Sequence, residues 1–180
     1  YKVTRLPFNS EKTEFWERIF QQQPSYTMSF NNFNPKGKLS SPRKKFRLFR
    51  AKRNTTYTPV AAQEAEAFYA HPFFINNGRT MLFSSDRPGG FGGFDVYIAH
   101  FDALTNTWGA PTNLGPGVNT EGNEIFPVVC EERLIFASKG LPGFGGYARY
   151  HAFCRKSPVL TGSISHFPQQ VNSAINDYFL

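Results

Sequence analysis

The chain has 180 residues, 40% hydrophobic, 17% aromatic and 18% charged, with 15 Gly, 13 Pro and 20 Phe. That composition excludes collagen, coiled coil and intrinsic disorder, and its aromatic bulk is enough to fill the core of one ordinary domain. The formal net charge of +7 is local, because residues 36–53 hold nine Lys/Arg and no acid while the remainder carries −2. In chain order, Phe15 to Gln22 has enough helical character for a turn or two, yet by position it corresponds to the first strand of a repeating unit. Met28-Ser29-Phe30 and Leu48-Phe49-Arg50-Ala51 follow as strand cores. The middle of the chain predicts strands over about 70–75, 80–85, 94–101 and 107–114, with Asn76-Asn77-Gly78 as the turn of a tight hairpin. No run approaches the roughly 18 apolar residues of a membrane helix, so no transmembrane segment is expected. The chain opens at Tyr1 with no signal-peptide pattern, and any export signal is expected outside it.

Self-comparison carries the organisation. Asn9-Ser10 precedes Glu14, Asn119-Thr120 precedes Glu124, and Asn172-Ser173 precedes Asp177: each copy has an Asn, a hydroxyl residue and an acid five residues after the Asn. A fourth, degenerate copy is expected at Gln63-Glu64-Ala65-Glu66, ahead of His71-Pro72 as Glu124 is ahead of Phe126-Pro127. A second pattern pairs Met81-Leu82-Phe83-Ser84-Ser85 and the Gly89-Gly90-Phe91-Gly92-Gly93-Phe94 run with Leu134 to Ser138 and Pro142 to Tyr147, at a constant offset of 53. Three units follow, at about 15–68, 69–123 and 124–176. Four-stranded antiparallel units of that length describe propeller blades better than a sandwich, and three of them leave an open ring. The expected fold is therefore all-β: residues 1–180 as part of one β-propeller, a fragment of about three four-stranded blades.

The chemistry-bearing candidates are few. The glycine-rich run at 89–93 continues into an alternating strand, not a helix, so it reads as a wide hairpin loop and not as a phosphate cradle. Asp86 and Arg87 beside it form a candidate polar rim; the plain alternative has Asp86 capping the turn and Arg87 pairing with a carboxylate. His71, His100, His151 and His166 do not recur at equivalent positions, and Cys130 and Cys154 have no metal-ligand spacing, although one bridge between them could form. There is no nucleophile elbow and no sialidase box. No catalytic, cofactor or metal residue is assigned on these grounds, and the chain is expected not to be an enzyme. Trp108, in Trp108-Gly109-Ala110-Pro111, is expected to be buried or to lie between blades at the start of the outer strand, with sugar stacking as the alternative. Unit one spends 21 residues from Phe30 to Ala51 where unit two spends 16 from Phe83 to Ala99, so residues 34–53 read as an extended basic rim loop and the strand that follows. Lys44, Lys45, Arg47 and Arg50, with Asp86 and Arg87, are the expected partner-binding residues, and the alternative for the basic segment is a solvated loop that only keeps an edge soluble. Nucleic acid is not the expected partner, since aromatic stacking residues are not interleaved across a platform as single-strand binders require.

The words Leu82-Phe83-Ser84-Ser85-Asp86-Arg87-Pro88-Gly89-Gly90-Phe91-Gly92-Gly93-Phe94-Asp95-Val96-Tyr97, followed by Trp108 to Gly115 and Val118-Asn119-Thr120, resemble the WD40-like β-propeller repeat of the TolB type. The Gly-Gly-Phe-Gly-Gly-Phe-Asp variant is most similar to propellers of Bacteroidetes envelope proteins that also carry tetratricopeptide repeats and an OmpA-like domain, among them a periplasmic component of the type IX secretion and gliding machinery. The match runs from His71 to Gly146. Unit one departs from it with Phe30-Asn31-Asn32-Phe33-Asn34-Pro35, and unit three with Ser138-Lys139-Gly140 and with Ala148-Arg149 in place of Asp95-Val96. The resemblance implies a non-enzymatic protein-interaction scaffold of the periplasm or cell envelope, with no cofactor. Its partners would be other envelope proteins, and peptidoglycan would be reached only through a domain outside this chain. Two other readings stand beside it: the propeller domain of a peptidase-type hydrolase, and a carbohydrate-binding propeller using Trp108 and the Asp86 rim.

Overall fold

The structure, a computed structural model, describes residues 14–20, 23–30, 45–51, 57–59, 67–143, 146–153 and 163–168, the first four segments by their backbone alone. Every regular element among them is a strand, and the strands form three antiparallel sheets in succession along the chain. Sheet 1 holds β1 (Glu14–Phe20), β2 (Gln23–Phe30), β3 (Lys45–Ala51) and β4 (Tyr57–Pro59) in that order. Sheet 2 holds β5 (Tyr69–Ile75), β6 (Thr80–Ser85) and β7 (Asp95–Asp102), with the short β8 (Thr107–Trp108) and β9 (Thr112–Asn113) both pairing with β7. Sheet 3 runs β10 (Glu124–Cys130), β11 (Arg133–Ser138), β12 (Ala148–Phe153) and β13 (Ser165–His166). The all-β antiparallel expectation is met; the described residues form sheets and no closed barrel. At Glu14–Phe20 the strand prevails over the helical turn, because the segment pairs with β2 from Glu14↔Met28 to Phe20↔Gln23.

Local chemistry explains the hairpins. Between β5 and β6, Asn76, Asn77 and Gly78 take φ of 52°, 54° and 78°, a left-handed run that Asn and Gly tolerate best. Two turn hydrogen bonds close it, Gly78 N to Ile75 O at 3.0 Å and Arg79 N to Asn76 O at 3.1 Å.

Sheets 2 and 3 repeat in register. Ser85↔Asp95 and Thr80↔His100 in one become Ser138↔Ala148 and Arg133↔Phe153 in the other, and Tyr97↔Asn113 becomes Tyr150↔His166. The connections above the closing pairs, 86–94 and 139–147, have nine residues each, whereas 31–44 above Phe30↔Lys45 has fourteen. The first strands are offset by 55 and not 53, since Tyr69 faces Ser85 as Glu124 faces Ser138. This corrects the degenerate motif: Tyr69, not an acid among 63–66, holds the position of Glu124. The cause is the four-residue turn 76–79, which sheet 3 replaces by the two residues 131–132. All three first strands carry a β-bulge, at Phe15/Glu17, Ala70/Phe73 and Ile125/Val128. In the latter two, a residue at positive φ precedes a proline: His71 (52°) with Pro72 and Phe126 (54°) with Pro127. A bulge accommodates the N–H that proline lacks.

The core lies on and between the sheets. One cluster joins Ala67, Tyr69, Met81, Phe83, Tyr97 and Ala99 on one face of sheet 2. The other takes Leu82 and Val96 from the opposite face and joins them to Val118, Leu134, Phe136, Ala148 and Tyr150, which welds sheet 2 to sheet 3. Every residue of β6 is buried, as a strand covered on both faces requires. Phe83 stacks on Tyr97 at 5.9 Å and Phe136 on Tyr150 at 6.0 Å, the same pair one unit later. Each such ring is worth about 1.5–3 kcal/mol in area removed from water. Trp108 is partly buried and packs against Phe74 and edge-on to Phe101, at 6.2 and 5.4 Å, two rings of its own sheet.

Candidate functional site

The connections that follow β6 and β11 both meet the crossing segment 114–123 that leads from sheet 2 to sheet 3, through Gly93 N to Gly122 O at 2.8 Å and Lys139 N to Asn123 O at 3.0 Å. The glycine-rich run is the hairpin connection read from the sequence, and it is held at several points. Asp95 Oδ2 accepts Phe91 N at 2.6 Å and Asn113 Nδ2 at 2.8 Å. Gly93 N donates to Gly122 O at 2.8 Å, Phe94 N to Asn123 Oδ1 at 2.7 Å, and Glu124 N to Phe94 O at 2.5 Å. Phe91 stands at the tip of the loop, 48% exposed.

The Asn-hydroxyl-acid motif is a latch between sheets. Asn119 presents its amide to the Val96 peptide, accepting from Val96 N at 2.8 Å and donating to Val96 O at 3.0 Å, in the manner of a neighbouring strand. The carboxylate of Glu124, 0% exposed, accepts from Thr120 N at 2.8 Å, Thr120 Oγ1 at 2.8 Å and Ser138 Oγ at 2.6 Å. Thr120 Oγ1 also accepts from Gly122 N at 3.0 Å, the bond two residues ahead that such motifs favour. Gly122 lies so close to the Gly140 backbone that a Cβ would collide with it. The motif at Asn119–Glu124 is structural; its copies at Asn9–Glu14 and Asn172–Asp177 fall largely or wholly outside the described residues.

The expected partner-binding residues divide. Asp86 Oδ1 accepts Phe68 N at 2.6 Å while the adjacent Ser85 Oγ donates to Phe68 O at 2.6 Å, so Asp86 grips the lead-in to β5. Arg87 lies over the Tyr97 ring, 5.5 Å from its centroid, and its Nη1 reaches Pro111 O at 3.5 Å. Lys45, Arg47 and Arg50 belong to β3, whose pairings run from Lys45↔Phe30 to Arg50↔Ser25; Lys44 lies outside the described residues. The structure thus puts three cations into a central strand of sheet 1, between β2 and β4, at the foot of the long connection.

The histidines are dispersed. His100 Nδ1 meets Thr80 Oγ1 at 3.2 Å and His166 Nδ1 is 2.8 Å from Phe167 O. The ring of His71 lies 3.8 Å from that of Phe126, where the two bulges bring sheets 2 and 3 together, and burial pushes its pKa down to about 4. Burial and the nearby Arg133 charge both lower His151. Among the described residues no three His, Cys, Asp or Glu side chains come together as a metal site, and no helix is long and apolar enough to cross a membrane. Cys130 is an exposed thiol, and Cys154 lies outside the described residues.

Sequence reasoning missed Asp95, Asn113 and Asn123, which hold the rim together. A signal existed for the first, because the offset of 53 sets Asp95 against Ala148 and so marks a loop closed differently in the two units.

No protein-family model matches the chain, and no curated protein sequence matches it. Among solved structures it is similar to a Mycobacterium tuberculosis puromycin-hydrolyzing peptidase, with a TM-score of 0.55 and 16% identity over 87% of this chain. The likeness is one of fold. The matched region is 24% of that peptidase chain, so this chain spans about a quarter of its length.

Proposed function

We propose that the three sheets are consecutive blades of a WD40-like propeller of the TolB type and that the chain is a non-enzymatic protein-interaction scaffold in the periplasm of a Bacteroidetes-like bacterium. Support for the blades comes from the common strand order, the unit of 53 to 55 residues and the first strands β5 and β10 lying side by side. The scaffold reading rests on the sequence resemblance to envelope propellers. The observation that carries a partner site is the length of the connection between β2 and β3: residues 31–44, with Lys36, Lys38, Arg43 and Lys44, number fourteen where the corresponding connections 86–94 and 139–147 have nine each. An extended loop on a repeated scaffold adds contact surface without disturbing the sheets, and its cations suit an acidic protein surface.

The test is affinity purification from an envelope extract at low and high salt. Reversal of Lys44, Lys45 and Arg47 to Glu is expected to remove the salt-sensitive partners while circular dichroism remains that of the parent. Partners retained by the variant with an unchanged salt response would refute the cationic rim.

A second reading, a propeller belonging to a hydrolase, draws on the likeness of fold to the puromycin-hydrolyzing peptidase. Peptide hydrolysis by the full-length protein, abolished by a serine-directed inhibitor, would replace the scaffold reading.

A further inference from the structure

Asn77-Gly78 is the one place in the sequence where glycine follows asparagine. The pair matters chemically, because the backbone nitrogen after an asparagine can attack that asparagine's side-chain amide, and glycine, with no Cβ, leaves the approach open. The structure puts the pair in the turn 76–79 between β5 and β6, with Asn77 exposed and Gly78 buried. There the attacking nitrogen is already engaged. Gly78 N donates to Ile75 O at 3.0 Å, the next amide, Arg79 N, donates to Asn76 O at 3.1 Å, and Asn76 Nδ2 donates to Thr80 Oγ1 at 3.2 Å. Attack requires the Gly78 nitrogen to lose its proton and swing onto Asn77 Cγ, and neither step is open while the turn is closed. The corresponding hairpin of sheet 3 turns through Glu131 and Glu132 and holds no such pair.

We propose that Asn77 is a latent self-modification site, closed by the folded turn and reactive whenever the β5–β6 hairpin opens. In the open chain the Gly78 nitrogen bonds to Asn77 Cγ, the bond from Cγ to the side-chain nitrogen breaks, and that nitrogen leaves as ammonia with the proton given up by Gly78. Water then opens the five-membered imide. Addition at Cγ gives aspartate, and addition at the main-chain carbonyl gives isoaspartate, whose chain runs on through Cβ and Cγ. The isoaspartate adds one methylene to the backbone of a turn that two hydrogen bonds close, so the hairpin can no longer close in the same way. β5 supplies Tyr69 to the core and β6 is buried throughout, so each opening that reacts is recorded irreversibly and weakens sheet 2 while sheet 3 is spared. The inference rests on the turn alone and not on the scaffold reading.

The test incubates the chain at neutral pH, folded and in urea. Peptide mass mapping follows the replacement of an amide by a carboxyl group at Asn77, and an isoaspartyl-specific methyltransferase counts the isoaspartate. In urea Asn77 is expected to convert ahead of Asn76, and in the folded chain its rate should fall by about tenfold or more. The ratio of the two rates is expected to match, within about threefold, the protection of Gly78 N against hydrogen exchange, since both reactions wait for the same opening. Thr80→Val, which removes the acceptor of Asn76 Nδ2, should move the two quantities together. Asn77→Gly, which takes the positive φ without strain, should fold and abolish the mass change at the turn. Conversion as fast in the folded chain as in urea, no conversion of Asn77 in urea, a mass change that persists in Asn77→Gly, or a folded rate out of step with Gly78 exchange in the parent or in Thr80→Val would each overturn the proposal.

Discussion

Sheets 2 and 3 share strand order, register and the stacked Phe–Tyr pair, yet they close their rims by different chemistry. In sheet 2 the loop is tied down by a charge: Asp95, 0% exposed, accepts from the loop at Phe91 and from Asn113, while Arg87 covers the Tyr97 ring. Sheet 3 has Ala148 and Gly140 at those positions, and its tyrosine hydroxyl does the tying by donating to Leu141 and Pro142. The first strands differ likewise, for Tyr69 stands in the hydrophobic core where Glu124 anchors a latch. A repeated backbone therefore tolerates exchange of polar for apolar closure.

The comparison breaks most severely at the latch. Glu124→Ala leaves Thr120 N, Thr120 Oγ1 and Ser138 Oγ without their acceptor and should cost about 3 kcal/mol in urea unfolding, whereas Glu124→Gln, which keeps one acceptor oxygen, should recover part of that loss. An Ala variant as stable as the parent would show that the latch is dispensable.

The next test exchanges the facing residues at the bulges. His71 is held well below the usual histidine range, at about 4, by burial, so between pH 6.5 and 4 the unfolded chain binds more protons than the folded one. Stability is complete above pH 6.5 and falls as the pH drops through that window, by about 2 kcal/mol once partial exposure of the ring is allowed for. His71→Phe, which places the sheet 3 residue in sheet 2, should flatten the stability profile over that range. A slope equal to the parent's would assign the acid sensitivity elsewhere.

The smallest effect belongs to the loop. Asp95→Ala converts the closure of sheet 2 to that of sheet 3, and the expected loss is about 1 kcal/mol. That is less than two lost hydrogen bonds to a carboxylate would give, because Oδ1 of Asp95 is buried without a partner and its burial cost disappears with it. Hydrogen exchange at Phe91 N should report the change, rising in the variant while exchange along β6 stays slow. Unaltered protection at Phe91 would mean that the carboxylate does not hold the loop.

Much of this was legible from the residues. The strands of sheet 2, the Asn76-Asn77-Gly78 turn and the hairpin nature of 86–94 follow from period-two alternation and turn residues, which act over a few neighbours along the chain. The offset of 53 was legible for the same reason, and it set Arg87 against Gly140 and Asp95 against Ala148 before any coordinates. The tertiary structure decided what meets across the chain. Phe68 is gripped by Ser85 and Asp86, Gly122 passes against Gly140, and His71 stacks on Phe126, and the difference in turn length shifts the first strands by two residues relative to the rest. Such contacts depend on the register between sheets, which the packing of side chains from two distant segments sets and which no local pattern encodes.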